Sequence, residues 1–198
     1  MSDRYGPDTA LVVVDVQNDF ADPSGGLYVQ GGEETVPVIN AEIAAAEAAG
    51  APVFYTQDWH PETTNGHFER DGGVWPVHCV QGTWGAELHP GLKVDGPIVK
   101  KGVDGNDGYS GFSVRDPESG EETATELGRL LDEAGAKRLV VAGLAGDVCV
   151  KETALDGVRL GYDVTVPLAG TRFVELEEGD ADRAVAALRD AGVEVVEA

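Results

Sequence analysis

Six short apolar runs rich in β-branched residues, separated by segments of helical periodicity, constrain this chain more than any other feature. The runs fall at 10–14, 52–56, 98–99, 138–142, 163–166 and 193–196, and the first of them (Ala-Leu-Val-Val-Val) ends abruptly at Asp15. A continuous apolar run of this length is the pattern of a strand covered on both faces. Between the runs lie helical patterns at 36–49, 123–134, 151–160 and 180–191, followed by Gly50, Gly135, Gly161 and Gly192 as stop signals. Strand and helix thus alternate. The alternation predicts an α/β fold: a doubly wound, mostly parallel six-stranded sheet with helices on both faces, in a Rossmann-like three-layer arrangement. In such folds ligands gather beyond the carboxyl ends of the strands, so functional residues are expected just after each run.

The chain has 198 residues, a length at which one domain buries roughly 70% of the surface its unfolded form exposes. A single domain over 1–198 is therefore expected, with no repeat or linker dividing it. Thirty-six acidic residues against 14 basic ones leave a formal charge of −22. Such a balance argues against nucleic acid as a partner, because phosphate contacts need clustered Lys and Arg. The N-terminal segment 1–9 lacks a signal-peptide core, and no run of 18 apolar residues occurs, so a cytoplasmic protein without a membrane partner is expected. Two cysteines are too few for a disulfide scaffold. Charge alone suggests a monomer or a small homo-oligomer.

Three run ends carry chemistry. Cys149 follows the 138–142 run and opens a helical pattern, where backbone N–H groups favour a thiolate and can hold an oxyanion. On position alone, a small buried cysteine packing between sheet and helix explains it equally well. Asp15 ends the first run; a carboxylate there is costly unless paired or functional, although it could also turn the chain or cap a neighbouring element. Lys101 follows the 98–99 run and could lower a thiol pKa, but a lone lysine is a weak signal. Their coincidence on one sheet edge points to a nucleophile, a base and a cation in one pocket.

The irregular stretch 57–96 holds all four histidines and all three tryptophans. Asp58, His60, His67 and His78 give it the composition of a borderline transition-metal site with open positions. Cys79 could replace one of the histidines or pair with Cys149, and His89 reads as structural. Phe20, Trp75 and Tyr109 are aromatics beside these residues and could form a slot for a planar ring, or simply pack in the core.

Five ordered motifs resemble one known family: Val14-Asp15-Val16-Gln17-Asn18-Asp19-Phe20, Asp58-Trp59-His60-Pro61, Trp75-Pro76-Val77-His78-Cys79, Lys101-Gly102 with Tyr109-Ser110-Gly111-Phe112, and Asp147-Val148-Cys149-Val150. Over nearly its whole length the chain is similar to the nicotinamidase and pyrazinamidase branch of the isochorismatase-like cysteine hydrolases. The resemblance implies a catalytic triad of Asp15, Lys101 and Cys149, and an oxyanion hole from the backbone N–H groups of Ala145 and Cys149 with a cis peptide before Ala145. It further implies a zinc, iron or manganese ion on Asp58, His60, His67 and His78, and ring contacts from Phe20 and Trp75. The implied activity is hydrolysis of nicotinamide, with pyrazinamide as a further substrate. Another amidase of the fold, acting on an N-carbamoyl or ureido substrate, would keep Asp15, Lys101 and Cys149 but has no need of the metal set. A non-catalytic metal-binding protein on this scaffold would need no triad. Gly146 stands where the family more often has Thr or Ser, which predicts a looser loop before Cys149.

Overall fold

The computed structural model describes residues 4–197; Met1–Asp3 and Ala198, the ends of the expected domain, lie outside them. In chain order the elements are β1 (Thr9–Val14), α1 (Asn18–Ala21), α2 (Gly32–Ala48), β2 (Val53–Asp58), β3 (Ile98–Lys101), β4 (Ser113–Arg115), β5 (Glu122–Ala124), α3 (Leu127–Glu133), β6 (Arg138–Leu144), α4 (Cys149–Arg159), β7 (Asp163–Pro167), β8 (Thr171–Arg172), α5 (Asp180–Asp190) and β9 (Glu194–Val196). Among the described residues no helix is long and apolar enough to cross a membrane.

The main sheet runs β3-β2-β1-β6-β7-β9 with every pairing parallel, and β8 adds a seventh strand by pairing Gly143 with Thr171 and Leu144 with Arg172. Seven strands replace the six expected. The extra one spans two residues, too short to show an apolar run. The expected helix over 123–134 is also corrected: Glu122–Ala124 pair antiparallel with Ser113–Arg115, and the helix begins only at Leu127. Thr125 explains the break, since its Oγ1 accepts the Leu127 N–H at 3.2 Å and donates to the Gly111 carbonyl at 2.6 Å, holding the chain out of a helix. α2 starts at Gly32 rather than at 36, with Pro37 in its second turn, where the missing N–H leaves one helical bond unmade.

The alternation of strand side chains divides the core into two layers. From β1, Leu11 and Val13 pack with Val36, Ile39, Ile43 and Ala46 of α2. Ala10, Val12 and Val14 point the other way, onto Leu127 and Leu131 of α3, Val150 and Ala154 of α4 and Leu188 of α5. Both faces are covered, which is why β1 is apolar from Ala10 to Val14. Each fully buried aliphatic side chain of this kind stabilises by about 1.5–3 kcal/mol.

The order of the strands reverses between β1 and β6, so a crevice opens where the chain leaves those two carboxyl ends. Asp15 follows the first strand and the loop to Cys149 follows the second. At this point the strands approach closely: Gly143 has φ +130°, and a Cβ there would lie 2.0 Å from the Val14 carbonyl oxygen. Only glycine fits, for reasons of both space and backbone angle. Gly143→Ala should destabilise the protein by roughly 3 kcal/mol, the sum of overpacking and backbone strain. A denaturant midpoint unchanged from wild type would refute that reading of the β1–β6 junction.

Candidate active site and metal centre

Three strand ends converge on one buried ammonium. Lys101 ends β3 beside its register partner Asp58 at the end of β2, and its Nζ reaches Asp58 Oδ1 at 2.5 Å and Asp15 Oδ2 at 2.7 Å. It also donates to the Gly108 carbonyl, and lies 3.7 Å from Cys149 Sγ. Asp15 Oδ1 takes a hydrogen bond from Thr56 Oγ1 at 2.7 Å. Acceptor atoms of Asp15 and Asp58 and the Cys149 sulfur all lie within 4.8 Å of one another. The sequence-derived trio of Asp15, Lys101 and Cys149 is thus brought together.

Burial sets the titration of this cluster, because taking a charge out of water disfavours its ionised form. For Asp15, burial outweighs the attraction of Lys101 and, together with the charge of Asp58, lifts the pKa to about 6. Asp58 goes the other way: burial is overcome by the Lys101 charge and by His60 and His78, so its carboxyl stays well below the usual range. Burial pushes the Cys149 thiol up, and Asp15 and Asp58 add to this against the opposing pull of Lys101. Lys101 pulls the thiol pKa down, as expected, but burial and the two carboxylates outweigh it. Two carboxylates surround one ammonium, and the thiol needs a base rather than ionising on its own.

Cys149 opens α4 after the turn 145–148, and the peptide between Leu144 and Ala145 is cis. Both Val148 and Val150 donate to the Ala145 carbonyl, at 3.1 and 3.0 Å. Among the described residues the Ala145 and Cys149 amides have no backbone acceptor, which leaves two N–H groups free beside the sulfur. Gly146 is not loose. Its N–H donates to the Arg172 carbonyl at 2.7 Å, and a Cβ on it would meet the Phe173 ring at 2.6 Å, so the phenyl fills the space a larger residue would take.

On the far side of Asp58 stand three imidazoles. His60, His67 and His78 are all buried and offer nitrogens within 4.8 Å of one another, while Asp58 Oδ2 lies 3.7 Å from His60 Nε2 and 3.9 Å from His78 Nε2. The outer nitrogens of two rings are anchored: His67 Nδ1 on Asp107 Oδ1 at 2.6 Å, and His78 Nδ1 on the Pro76 carbonyl at 2.7 Å. Both nitrogens of His60 and Nε2 of His67 are buried without a hydrogen-bond partner. Burial holds His78 down to about 4, against the pull of Asp58, so its ring is neutral near pH 7. Three buried imidazoles, with nitrogens of His60 and His67 left unpartnered, one carboxylate oxygen and an unbalanced negative charge fit a divalent cation. Cys79 is a free, buried thiol that contacts the Gly85 carbonyl at 3.9 Å, and Cys149 is free as well. Ring nitrogen Nδ1 of His89 accepts the Gly91 N–H at 3.1 Å, in keeping with a structural role.

A cleft connects the two halves, with Cys149, Asp58, His67 and His78 around it and walls from Phe20, Leu27, Val29, Trp75, Tyr109 and Val174. Trp75 Nε1 donates to the Tyr109 hydroxyl at 2.9 Å, fixing the two rings relative to each other. Phe20, Trp75 and Tyr109 were legible as aromatics near the motifs, whereas Leu27, Val29 and Val174 carry no local signal in the sequence. Nor does Asp107, which steadies His67 from 40 residues away. Gln17 lies within the first motif: its amide donates to the Asp58 and Ala86 carbonyls at 2.7 and 2.9 Å and accepts the Asp58 N–H at 2.8 Å, clamping the backbone of Asp58.

The isochorismatase domain matches residues 9–198 of the chain. A nicotinamidase/pyrazinamidase of Mycobacterium tuberculosis is 39% identical over 94% of this chain and 97% of its own length. Among solved structures, the pyrazinamidase of Pyrococcus horikoshii in complex with zinc superposes with a TM-score of 0.84 at 35% identity, covering 97% of this chain and 100% of that one. The L. infantum protein PnC1 in complex with nicotinate gives a TM-score of 0.88 at 35% identity, over 100% of this chain and 96% of the other. With a match of this extent, the chain belongs to the isochorismatase family, in its nicotinamidase and pyrazinamidase branch.

Proposed function

We propose that this protein is a single-domain nicotinamidase, hydrolysing nicotinamide to nicotinate and ammonia in NAD salvage through a thioester on Cys149, and that pyrazinamide is a second substrate. The observation that carries this is the adjacency of two sites across one carboxylate, with Asp58 Oδ1 on the Lys101 ammonium and Oδ2 facing His60 and His78. An N-carbamoyl or ureido amidase would need the first site alone. A flat, apolar slot ending in a cation-binding group and a nucleophile suits an aromatic ring that bears both a lone pair and a carboxamide.

Asp15 accepts the Cys149 proton, and the sulfur attacks the carboxamide carbon. The oxygen of the tetrahedral adduct turns to the free N–H groups of Ala145 and Cys149 at the start of α4, where the helix end adds a favourable field. Asp15 then returns its proton to the departing nitrogen, which leaves as ammonia. In the second half Asp15 takes a proton from water, the hydroxide attacks the thioester carbon, and the proton returns to sulfur as nicotinate is released. Throughout, Lys101 and Thr56 hold the two oxygens of Asp15 in place. Asp58, His60, His67 and His78 would hold a zinc, iron or manganese ion, which when bound supplies a Lewis-acid contact for the ring nitrogen. Phe20, Trp75 and Tyr109 confine the ring.

Ammonia release from nicotinamide by the metal-loaded protein tests the whole reading. Cys149→Ala should reduce turnover by at least 10⁴-fold while leaving the fold and the bound metal unchanged, as expected for loss of a covalent nucleophile; retained turnover would defeat the assignment. His60→Ala should lower the metal content of the purified protein and raise KM strongly, since ring orientation is lost. Full metal content and an ordinary KM in that variant would remove the metal from the scheme.

The pH profile follows from Asp15. Its carboxyl is raised to about 6 and must be ionised to accept the thiol proton, so kcat/KM should fall as the pH drops through about 6. A flat profile between pH 5 and 7 would exclude Asp15 as the base.

A further inference from the structure

We propose that Asp147 is a positioning residue that sets ligand selectivity: its carboxylate pins Val174 into the wall of the ring slot and thereby limits the size of ring the slot admits. The proposal rests on the nicotinamidase reading and names a residue that would bound its substrate range.

Asp147 sits two residues before the sulfur, on the turn that also supplies Ala145 and Val148 to the cavity wall. Its carboxylate points away from the chemistry, taking the Val174 N–H on Oδ1 at 2.9 Å and the Glu175 N–H on Oδ2 at 2.8 Å. Among the described residues these are the only hydrogen bonds made by the backbone of 173–176. Upstream, the segment is docked by the β6–β8 pairing and by Phe173 against Gly146. Downstream, nothing packs over it: residues 175–178 are exposed, Leu176 by 65%. Glu175 moreover has φ +50°, a left-handed conformation that a non-glycine residue keeps only when its surroundings hold it. Val174 lines the cavity at the end of this strand tail, its side chain resting on the core layer of the α2 face while its N–H and that of Glu175 are held only by Asp147. Without the carboxylate, the two amides lose their acceptor and the wall is free to open locally.

The turn itself does not depend on Asp147. Gly146 N–H on Arg172 and the Val148 and Val150 N–H groups on Ala145 hold it independently, so the attacking sulfur and the free amides stay in place. The expected signature is therefore a change in KM and in selectivity with kcat little altered.

The test compares nicotinamide with nicotinamides carrying one methyl group at ring carbon 4, 5 or 6, in wild type, Asp147→Ala, Asp147→Asn and Val174→Ala. In a tight apolar slot one extra methyl changes kcat/KM by roughly 10–200-fold. Wild type should discriminate by at least about tenfold against one of these amides. Asp147→Ala should raise the KM for nicotinamide about tenfold with kcat within about threefold, and should erase most of that discrimination. Asp147→Asn, keeping one acceptor, should lie between. Val174→Ala leaves every hydrogen bond intact and should relax the same discrimination, even where Asp147→Ala fails to fold. The double variant should be no less selective than Val174→Ala alone, because both act through one wall. Discrimination retained in Asp147→Ala and Asp147→Asn, or effects that add in the double variant, would overturn the proposal while leaving the nicotinamidase reading in place. Failure of wild type to release ammonia from nicotinamide would overturn that reading and this proposal with it.

Discussion

The Lys101 ammonium is the interaction on which the rest of the site depends. A cation with no solvent exposure of its side chain is tolerable only if its surroundings are anionic, and here two carboxylates and a backbone carbonyl surround it. Each partner is then constrained in turn. Asp15 is held with one oxygen on Lys101 and the other on Thr56; Asp58 is held with one oxygen on Lys101 and the other turned to the imidazoles. One charge thereby fixes the proposed base and turns one oxygen of Asp58 toward the imidazoles. Removing it would strand two buried carboxylates, a loss on the order of 3–5 kcal/mol for a broken buried pair.

This arrangement also explains why the thiol is not a preformed thiolate. Burial disfavours the anion most; Lys101 favours it, yet that charge is shared between Asp15 and Asp58, which oppose a third negative charge nearby. In the proposed mechanism the proton therefore moves to Asp15 as the bond to carbon forms. Burial raises the affinity of Asp15 for a proton enough to receive it, and not so far that the carboxyl is protonated at neutral pH.

Much of this was legible before any coordinates. The apolar runs located the six strands of the main sheet, most clearly β1 and β6, which are buried almost throughout, and two run ends led to Asp15, directly after the first run, and Lys101, two residues after the third. Two things were hidden for physical reasons. Strand β8 is too short for any periodicity, and the β4–β5 hairpin is polar and half exposed, so neither leaves a hydrophobic trace. Asp107, Leu27, Val29 and Val174 act through long-range proximity, which a linear pattern does not encode. Gly146 was misread as slack because its neighbour in space, Phe173, lies 27 residues on in the chain.

Strain marks the same boundary between fold and site. Among the described residues three non-glycine residues have a left-handed φ: Asp15 at 49°, Cys79 at 47° and Glu175 at 50°. Each costs about 1–3 kcal/mol unless its surroundings enforce it. Each is held by a side-chain hydrogen bond or ion pair. Asp15 is tied to Lys101 and Thr56, the Cys79 N–H donates to Asp19 Oδ2 at 2.6 Å, and the Glu175 N–H donates to Asp147. Of the carboxylates in the Val14–Phe20 and Asp147–Val150 motifs, Asp19 holds backbone of the histidine segment and Asp147 backbone of the 174–175 segment, whereas Asp15 engages the Lys101 and Thr56 side chains. A chain with so many acidic residues has most of them on its surface, but the few turned inward hold irregular segments where neither helix nor sheet could.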